Sequence, residues 1–248
     1  MRVSVSPHPL FFIIDYNNSK AKGETMDKVY LERYESLGYA RYICTSCYHC
    51  TSKMGVSYCS INMRGCCSYF PKFELIDIHR MVKSAEGLQV LKRIIDNPGT
   101  VVYNYYIHAK GYFDKDGYEE YLKKAPEEDD IRDKTIFFRA CPFVKSGYGC
   151  TLPPVYRNYV CNFFICHEVM NNVDDEEVKN QYIRERSRFV RWAEWENMSL
   201  EGILAEHHLN LRDDFDGSIK LLQEIPLDIF EFPQLKELNV INIDEKDA

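Results

Sequence analysis

Along this chain, apolar residues recur at helical spacing in several separate stretches. Between residues 27 and 42, Val29, Tyr30, Tyr34 and Leu37 fall near one helical face and Gly38 follows as a stop, so the spacing predicts a helix. After Pro71 the pattern is more regular. Leu75, Ile78 and Val82, then Leu88, Leu91, Ile94 and Ile95, predict helices, with Gly87 as the break and Asn97-Pro98-Gly99 as the end of the unit. The strongest pattern runs from Asp175 to about Asn197, with Val178, Tyr182, Phe189, Ala193 and Trp192 on the inner face. Ser199 then offers an N-cap for a further helix through His207, because its hydroxyl can accept from a first-turn amide. Ile219 to Leu222 precedes Pro226, Pro233 and an acidic tail.

The intervening stretches read differently. Residues 100–113 are rich in Val and Tyr and fit either strand or helix, while Asp114 to Asp133 reads as a polar surface connection with a short helix. Thr135 to Phe143 predicts a short extended segment, and Cys161 to Cys166 an aromatic run at the start of a helix. Trp192, Trp195, Tyr182 and Phe189 form an aromatic stripe expected in the core, whereas Asp77, His79 and the pair His207-His208 are expected at the surface. There is no internal repeat.

The chain breaks from this ordinary pattern at its cysteines. Ten are present, in two groups with long cysteine-free flanks: Cys44, Cys47, Cys50, Cys59, Cys66 and Cys67, then Cys141, Cys150, Cys161 and Cys166. Gly55 and Gly65 in the first group, and Gly147, Gly149, Pro153 and Pro154 in the second, suit irregular backbone wrapped around a metal site. With 248 residues the chain can bury a core unaided, so a metal is not needed merely to rescue a small fold.

Charge and hydropathy narrow the setting. The formal net charge of −7 and the acidic runs Glu127 to Asp130 and Asp174 to Glu177 disfavour nucleic acid as a partner. No run approaches the roughly 18–20 apolar residues of a membrane span. Leu10 to Ile14 is too short for a signal-peptide core, so a cytoplasmic location is expected. Met26 opens a more conventional start, which makes residues 1–25 an N-terminal extension in this reading. In a reducing compartment, clustered thiols point to metal or redox chemistry rather than disulfides.

Thiolates are soft ligands, and four of them suit either zinc or an iron–sulfur cluster. Cys44-x-x-Cys47 aims two sulfurs at one centre from a tight turn. Cys66-Cys67 does not easily chelate a single ion, because the planar peptide between the two residues points their side chains apart. Adjacent thiols more naturally serve two centres, or one serves while the other packs, and ten cysteines suffice for two four-thiolate sites or for one cluster plus one zinc. His49 and His167 adjoin cysteines and could replace a thiolate, but a sequence neighbour usually points away, which argues against it; Arg157 is read as a loop-ordering residue that could also meet a cluster sulfur or bind an anionic partner.

Gly65-Cys66-Cys67-Ser68, followed by a helix and then Cys141-Pro142-Phe143-Val144, Cys150-Thr151-Leu152, Arg157, Cys161 and Cys166, resembles the zinc- or iron-chelating CxxCxxCC family, also called YkgJ-like. The resemblance covers about residues 44 to 166. This sequence inserts Cys50 and Cys59 into the family's compact knot, and has Asn158 where the family has the proline of its Arg-Pro step. Asn162 stands where the family often has arginine. What the resemblance implies is metal binding, with no defined reaction; a similar cysteine segment occurs in flagellin lysine methylases.

The expected fold is mainly α, with irregular cysteine-rich loops around one or two metal centres and at most a small β-sheet. Residues 26–172 form the cysteine-cluster part, and residues 173–248 a helical part packed on it. The expected ligand set is Cys44, Cys47, Cys66, Cys67, Cys141, Cys150, Cys161 and Cys166, with Cys50 and Cys59 in reserve. The cofactor is an iron–sulfur cluster of the 4Fe–4S type or Zn2+, and the surplus of thiols over the needs of one zinc favours the cluster. Electron transfer or cluster-dependent protein modification would follow, with a redox partner or a protein substrate. A zinc-stabilised binding module and a side-chain modifying enzyme similar to lysine N-methylases are the alternatives.

Overall fold

Residues 28–34, 39–44, 50, 52–124, 131–232, 236 and 238–239 are described by the computed structural model. Its first element corrects the helix expected over 27–42. Strand β1 (Lys28–Tyr34) runs antiparallel to β2 (Tyr39–Cys44), in a register that pairs Val29 with Cys44 and Tyr34 with Tyr39. The stretch carries four tyrosines with Val29 and Ile43, residues that lose rotamer freedom against a helical turn and fit a pleated strand, so composition outweighs an approximate spacing.

Strand β3 (Lys72–Glu74) leads directly into α1 (Leu75–Val82), where all eight residues are buried. A capping box closes its first turn, with the Glu74 amide donating to Asp77 Oδ2 at 3.1 Å. Enclosure of α1 overturns the surface placement of Asp77 and His79: α2 (Ala85–Ile95) covers one side and the C-terminal helices cover others. Spacing alone marks only Leu75, Ile78 and Val82 as inward, because it cannot reveal that a helix is surrounded.

The break between α1 and α2 falls at Lys83-Ser84, where the Ser84 hydroxyl accepts from the Gly87 amide at 3.0 Å. Gly87 is therefore not the break but a first-turn residue of α2. A Cβ there would lie 2.0 Å from the Met81 carbonyl oxygen, so the close approach of the two helices requires glycine. Strands β4 (Thr100–Val102) and β5 (Tyr106–Ala109) settle the 100–113 ambiguity as strand, and β5 lies between β3 and β4 in an antiparallel sheet.

Strand β6 (Tyr112–Phe113) is followed by the short surface helix α3 (Lys115–Lys123) and a 3-10 turn over Lys134–Phe138. Strand β7 (Arg139–Ala140) returns to pair with β6, and β8 (Val144–Lys145) pairs with β9 (Gly149–Cys150) in a tight hairpin. Helices α4 (Tyr159–Phe163) and α5 (His167–Asn171) are single short turns. Then α6 runs unbroken for 31 residues, Glu176–Glu206, before α7 (Phe215–Glu224) and β10 (Leu238–Asn239), which adds to the free edge of β1.

The continuity of α6 corrects the division at Ser199. That hydroxyl donates back to the Trp195 carbonyl within the helix at 3.1 Å, while Leu200 and Leu204 prolong the apolar face into the core. Trp195, expected inside, is 65% exposed, and Trp192 alone of the pair packs on a core. The mainly α character with only small sheets, each of two or three strands, agrees with the expected class.

Two apolar clusters hold these elements. The larger combines Phe73, Ile78, Met81, Leu91, Ile94 and Ile107 with Leu200, Leu204 and Leu222 from the C-terminal helices. The smaller combines Ile76, Phe163, Val178, Tyr182, Phe189 and Leu238. Lys83, at the end of α1, donates to the carbonyls of Leu222, at 2.7 Å, and Gln223, at 2.9 Å, and also to that of Ile225, so a cation stabilises the C-terminal end of α7. No helix among the described residues is long and apolar enough to cross a membrane.

Candidate metal centre

The two cysteine groups, far apart in sequence, sit on loops that bond to each other. The Cys141 amide donates to the Cys67 carbonyl at 2.9 Å, and the Tyr58 amide to the Phe137 carbonyl at 2.8 Å. From the tip of the β8–β9 hairpin, the Gly147 amide donates to the Met63 carbonyl at 3.0 Å. Ser146 Oγ adds a bond to the Asn62 carbonyl at 2.6 Å. The turn that receives them is tight, with Met63 at φ 44° and Gly65 at φ 56°, the left-handed region in which a non-glycine residue costs about 1–2 kcal/mol.

Cys141, Cys150 and Cys161 are the expected ligands that the fold gathers most clearly. Cys141 and Cys150 pack at the edge of the larger core. Burial pushes the Cys141 thiol up to about 12, against the pull of the nearby Phe143 and Val144 amides, and Cys150 adds repulsion. Cys161, on an open face of α4, has packed chain behind it. That burial, together with Cys141 and Cys150, holds its thiol well above the ordinary range, while Arg157 pulls it down. Ionised sulfurs at Cys141 and Cys161 would each be repelled by their cysteine neighbours, a cost that a cation among them would offset.

Arg157 orders this loop as expected. Its Nε donates to the Leu152 carbonyl at 2.9 Å and its Nη2 to the Cys150 carbonyl at 3.3 Å, and no carboxylate among the described residues pairs with it. Asn158 is buried and gives α4 its N-cap. Its Oδ1 accepts from the Cys161 amide at 3.0 Å while its Nδ2 donates to the Lys72 carbonyl at 2.9 Å. Asn162 is buried too and donates to the Pro154 carbonyl at 3.2 Å.

Cys66 and Cys67 lie in the other loop, in the electrostatic surroundings of Arg64 together with Cys59. Spacing did not single out Arg64, and Cys59 was only a reserve ligand; both are buried, at 2% and 6% exposure. Their signal in the sequence is slight: an arginine two residues before the Cys-Cys step. Cys50 bonds with the Ser52 hydroxyl at 3.0 Å. Cys44, at the end of β2, packs on the smaller core, and Cys166 stands at the N-cap of α5. Cys47 and His49 lie outside the described residues. His167 bonds with the Asn171 amide nitrogen on the surface.

Among the described residues, no three His, Cys, Asp or Glu side chains stand in metal-ligand geometry. Cys141, Cys150 and Cys161 act on one another electrostatically, with Arg157 and the Asp77 carboxyl in the same surroundings, and thiols are donors that suit a soft ion rather than a hard oxygen-seeking one. No protein-family model matches this chain, and no curated protein or solved structure is significantly similar to it.

Proposed function

We propose that this protein binds a metal centre through cysteine thiolates, with Cys141, Cys150 and Cys161 at its heart and an iron–sulfur cluster preferred over zinc. The observation that carries this reading is the crowding of these three thiols on loops locked together by the bond from Cys141 to Cys67. The backbone amides of Phe143 and Val144 near Cys141, the latter donating to the Cys141 carbonyl at 3.2 Å, favour the anionic form of its sulfur. When bound, a cluster would supply one-electron chemistry, and zinc would supply structural cross-linking. The chain's own part is to present sulfurs and to bring the Arg157 guanidinium to the same loop.

Elemental analysis and an absorption spectrum of anaerobically purified protein test the reading. About four irons per chain with a broad band near ~400 nm is the expected result. Zinc without visible absorption would turn the reading to a structural module, and protein that takes up neither metal would overturn it.

A second reading, side-chain modification, is favoured by one feature. A cleft of about 410 Å³ is lined by Glu74, Glu194, Glu201, Tyr105, Tyr106 and Met198, an acidic and aromatic surface that suits a cationic side chain such as lysine. Saturable binding of a lysine-rich peptide, lost on Glu194→Gln, would support it; equal binding of an acidic peptide would remove it.

A further inference from the structure

Helix α6 carries its surface charges in two blocks of opposite sign. Every exposed charged residue from Arg184 to Arg191 is an arginine, namely Arg184, Arg186, Arg188 and Arg191. Every one from Glu194 to Glu206 is a glutamate, namely Glu194, Glu201 and Glu206. Where the sign changes, Trp195 and Met198 stand one turn apart on the helix, 65% and 70% exposed, more than any other large hydrophobic side chain among the described residues. Local pairing engages the first arginines: Arg184 bonds to Glu177 at 2.9 Å and Arg188 to Glu185 at 2.8 Å. Among the described residues, Arg191, Glu201 and Glu206 have no ion-pair partner. Glu206, the last residue of α6, also opposes the helix dipole, which favours a cation there. This order of charges is unfavourable for one helix alone and self-complementary for two.

We propose that α6 docks against α6 of a second copy of this chain, antiparallel about a two-fold axis that crosses between Glu196 and Asn197. That register sets Trp195 of each copy against Met198 of the other, and brings Arg191 of each to Glu201 of the other. The arginine block of one copy then lies along the glutamate block of the other, and the two helix dipoles run in opposite directions. A parallel arrangement would set arginine against arginine. Because the axis uses each contact twice, one patch serves both copies. A tryptophan and a methionine at the centre, with ion pairs at the rim, match the anatomy of protein interfaces. One helix pair buries area at the lower end of what a specific interface needs, so the association depends on concentration and on salt. It needs no metal, and so stands or falls apart from the proposed function.

Sedimentation velocity of the full chain under reducing conditions, over a dilution series reaching about 200 µM, tests this. Wild type is expected to form a dimer that dissociates on dilution and weakens at high salt. Arg191→Glu and Glu201→Arg should each weaken association by about tenfold or more, since each sets two like-charged pairs across the axis. Mixed in equal amounts, the two variants should associate again, because Glu at 191 of one then meets Arg at 201 of the other while the native pair is restored on the opposite side. Trp195→Ala should weaken the wild-type dimer likewise. All three positions are exposed, and circular dichroism of each variant separates lost association from lost fold. A chain that stays monomeric throughout would overturn the proposal and leave this face to a different protein. A dimer indifferent to Arg191→Glu and Trp195→Ala, or charge variants that stay apart when mixed, would overturn it too.

Discussion

The amide of Cys141 donates to the carbonyl of Cys67 at 2.9 Å, joining two cysteine loops that the sequence separates by more than seventy residues. Through this bond, and those of Tyr58 and Gly147, order in one loop depends on order in the other. On the proposed metal reading, stripping metal with a chelator in the presence of reductant is therefore expected to speed exchange of the Tyr58, Cys141 and Gly147 amides together, by about tenfold or more, while the amide of Ile94 in α2 stays protected. Exchange confined to one loop would break the link.

Two glycine substitutions should act in opposite directions. Gly87→Ala places a Cβ 2.0 Å from the Met81 carbonyl oxygen, and backbone cannot swing aside as a side chain can. A loss of about 2–4 kcal/mol is expected in urea unfolding. At Gly202, inside α6, nothing lies within 4 Å of an added Cβ, so Gly202→Ala should stabilise by about 0.5–1 kcal/mol through helix propensity.

Asp77 gives stability a slope with pH. Burial raises its carboxyl from 3.8 to about 7, against the pull of Arg80. Between those values the folded chain keeps a proton that the unfolded chain has released. Stability from this group is full below about pH 4 and falls as pH rises, by roughly 4 kcal/mol at most by pH 7. Asp77→Asn keeps an acceptor for the Glu74 amide and should flatten this component of the profile. Denaturation curves at pH 4.5 to 7.5 would show it, and an unchanged slope would place the titration elsewhere.

Asn158 should matter beyond its size. Asn158→Ala removes both the cap on the Cys161 amide and the bond to the Lys72 carbonyl, for an expected loss of about 2 kcal/mol. Because the cap sets the turn that carries Cys161, cobalt(II) affinity at the proposed Cys141, Cys150 and Cys161 centre should fall as well. Asn158→Ala with stability lowered but affinity intact would show that the cap serves the fold alone.

The sequence made the helices legible where a long apolar stripe faces one side. The helix predicted from Asp175 and the turn at Asn97-Pro98-Gly99 both stand in the structure. It misled where neighbours decide. Asp77 and His79 look like surface residues on an amphipathic helix, but α1 is enclosed on several sides, and burial of that kind is not written in one helix's own periodicity. Ser199 has the chemistry of a cap, yet Leu200 and Leu204 give the helix reason to continue. At the thiols, spacing identified the groups but not their arrangement, since which cysteines meet depends on how the loop at Met63 docks on the hairpin at Gly147.

Helix α6 has a consequence of its own. At about 1.5 Å per residue it is on the order of 45 Å long. Its first half presents Val178, Tyr182 and Phe189 to the smaller core, and its last turns present Leu200 and Leu204 to the larger one. A single rigid rod thus runs through both hydrophobic bodies, and neither can melt without fraying the rod that the other grips. Heat should therefore undo this molecule in one concerted step, with the cores acting as a single cooperative unit.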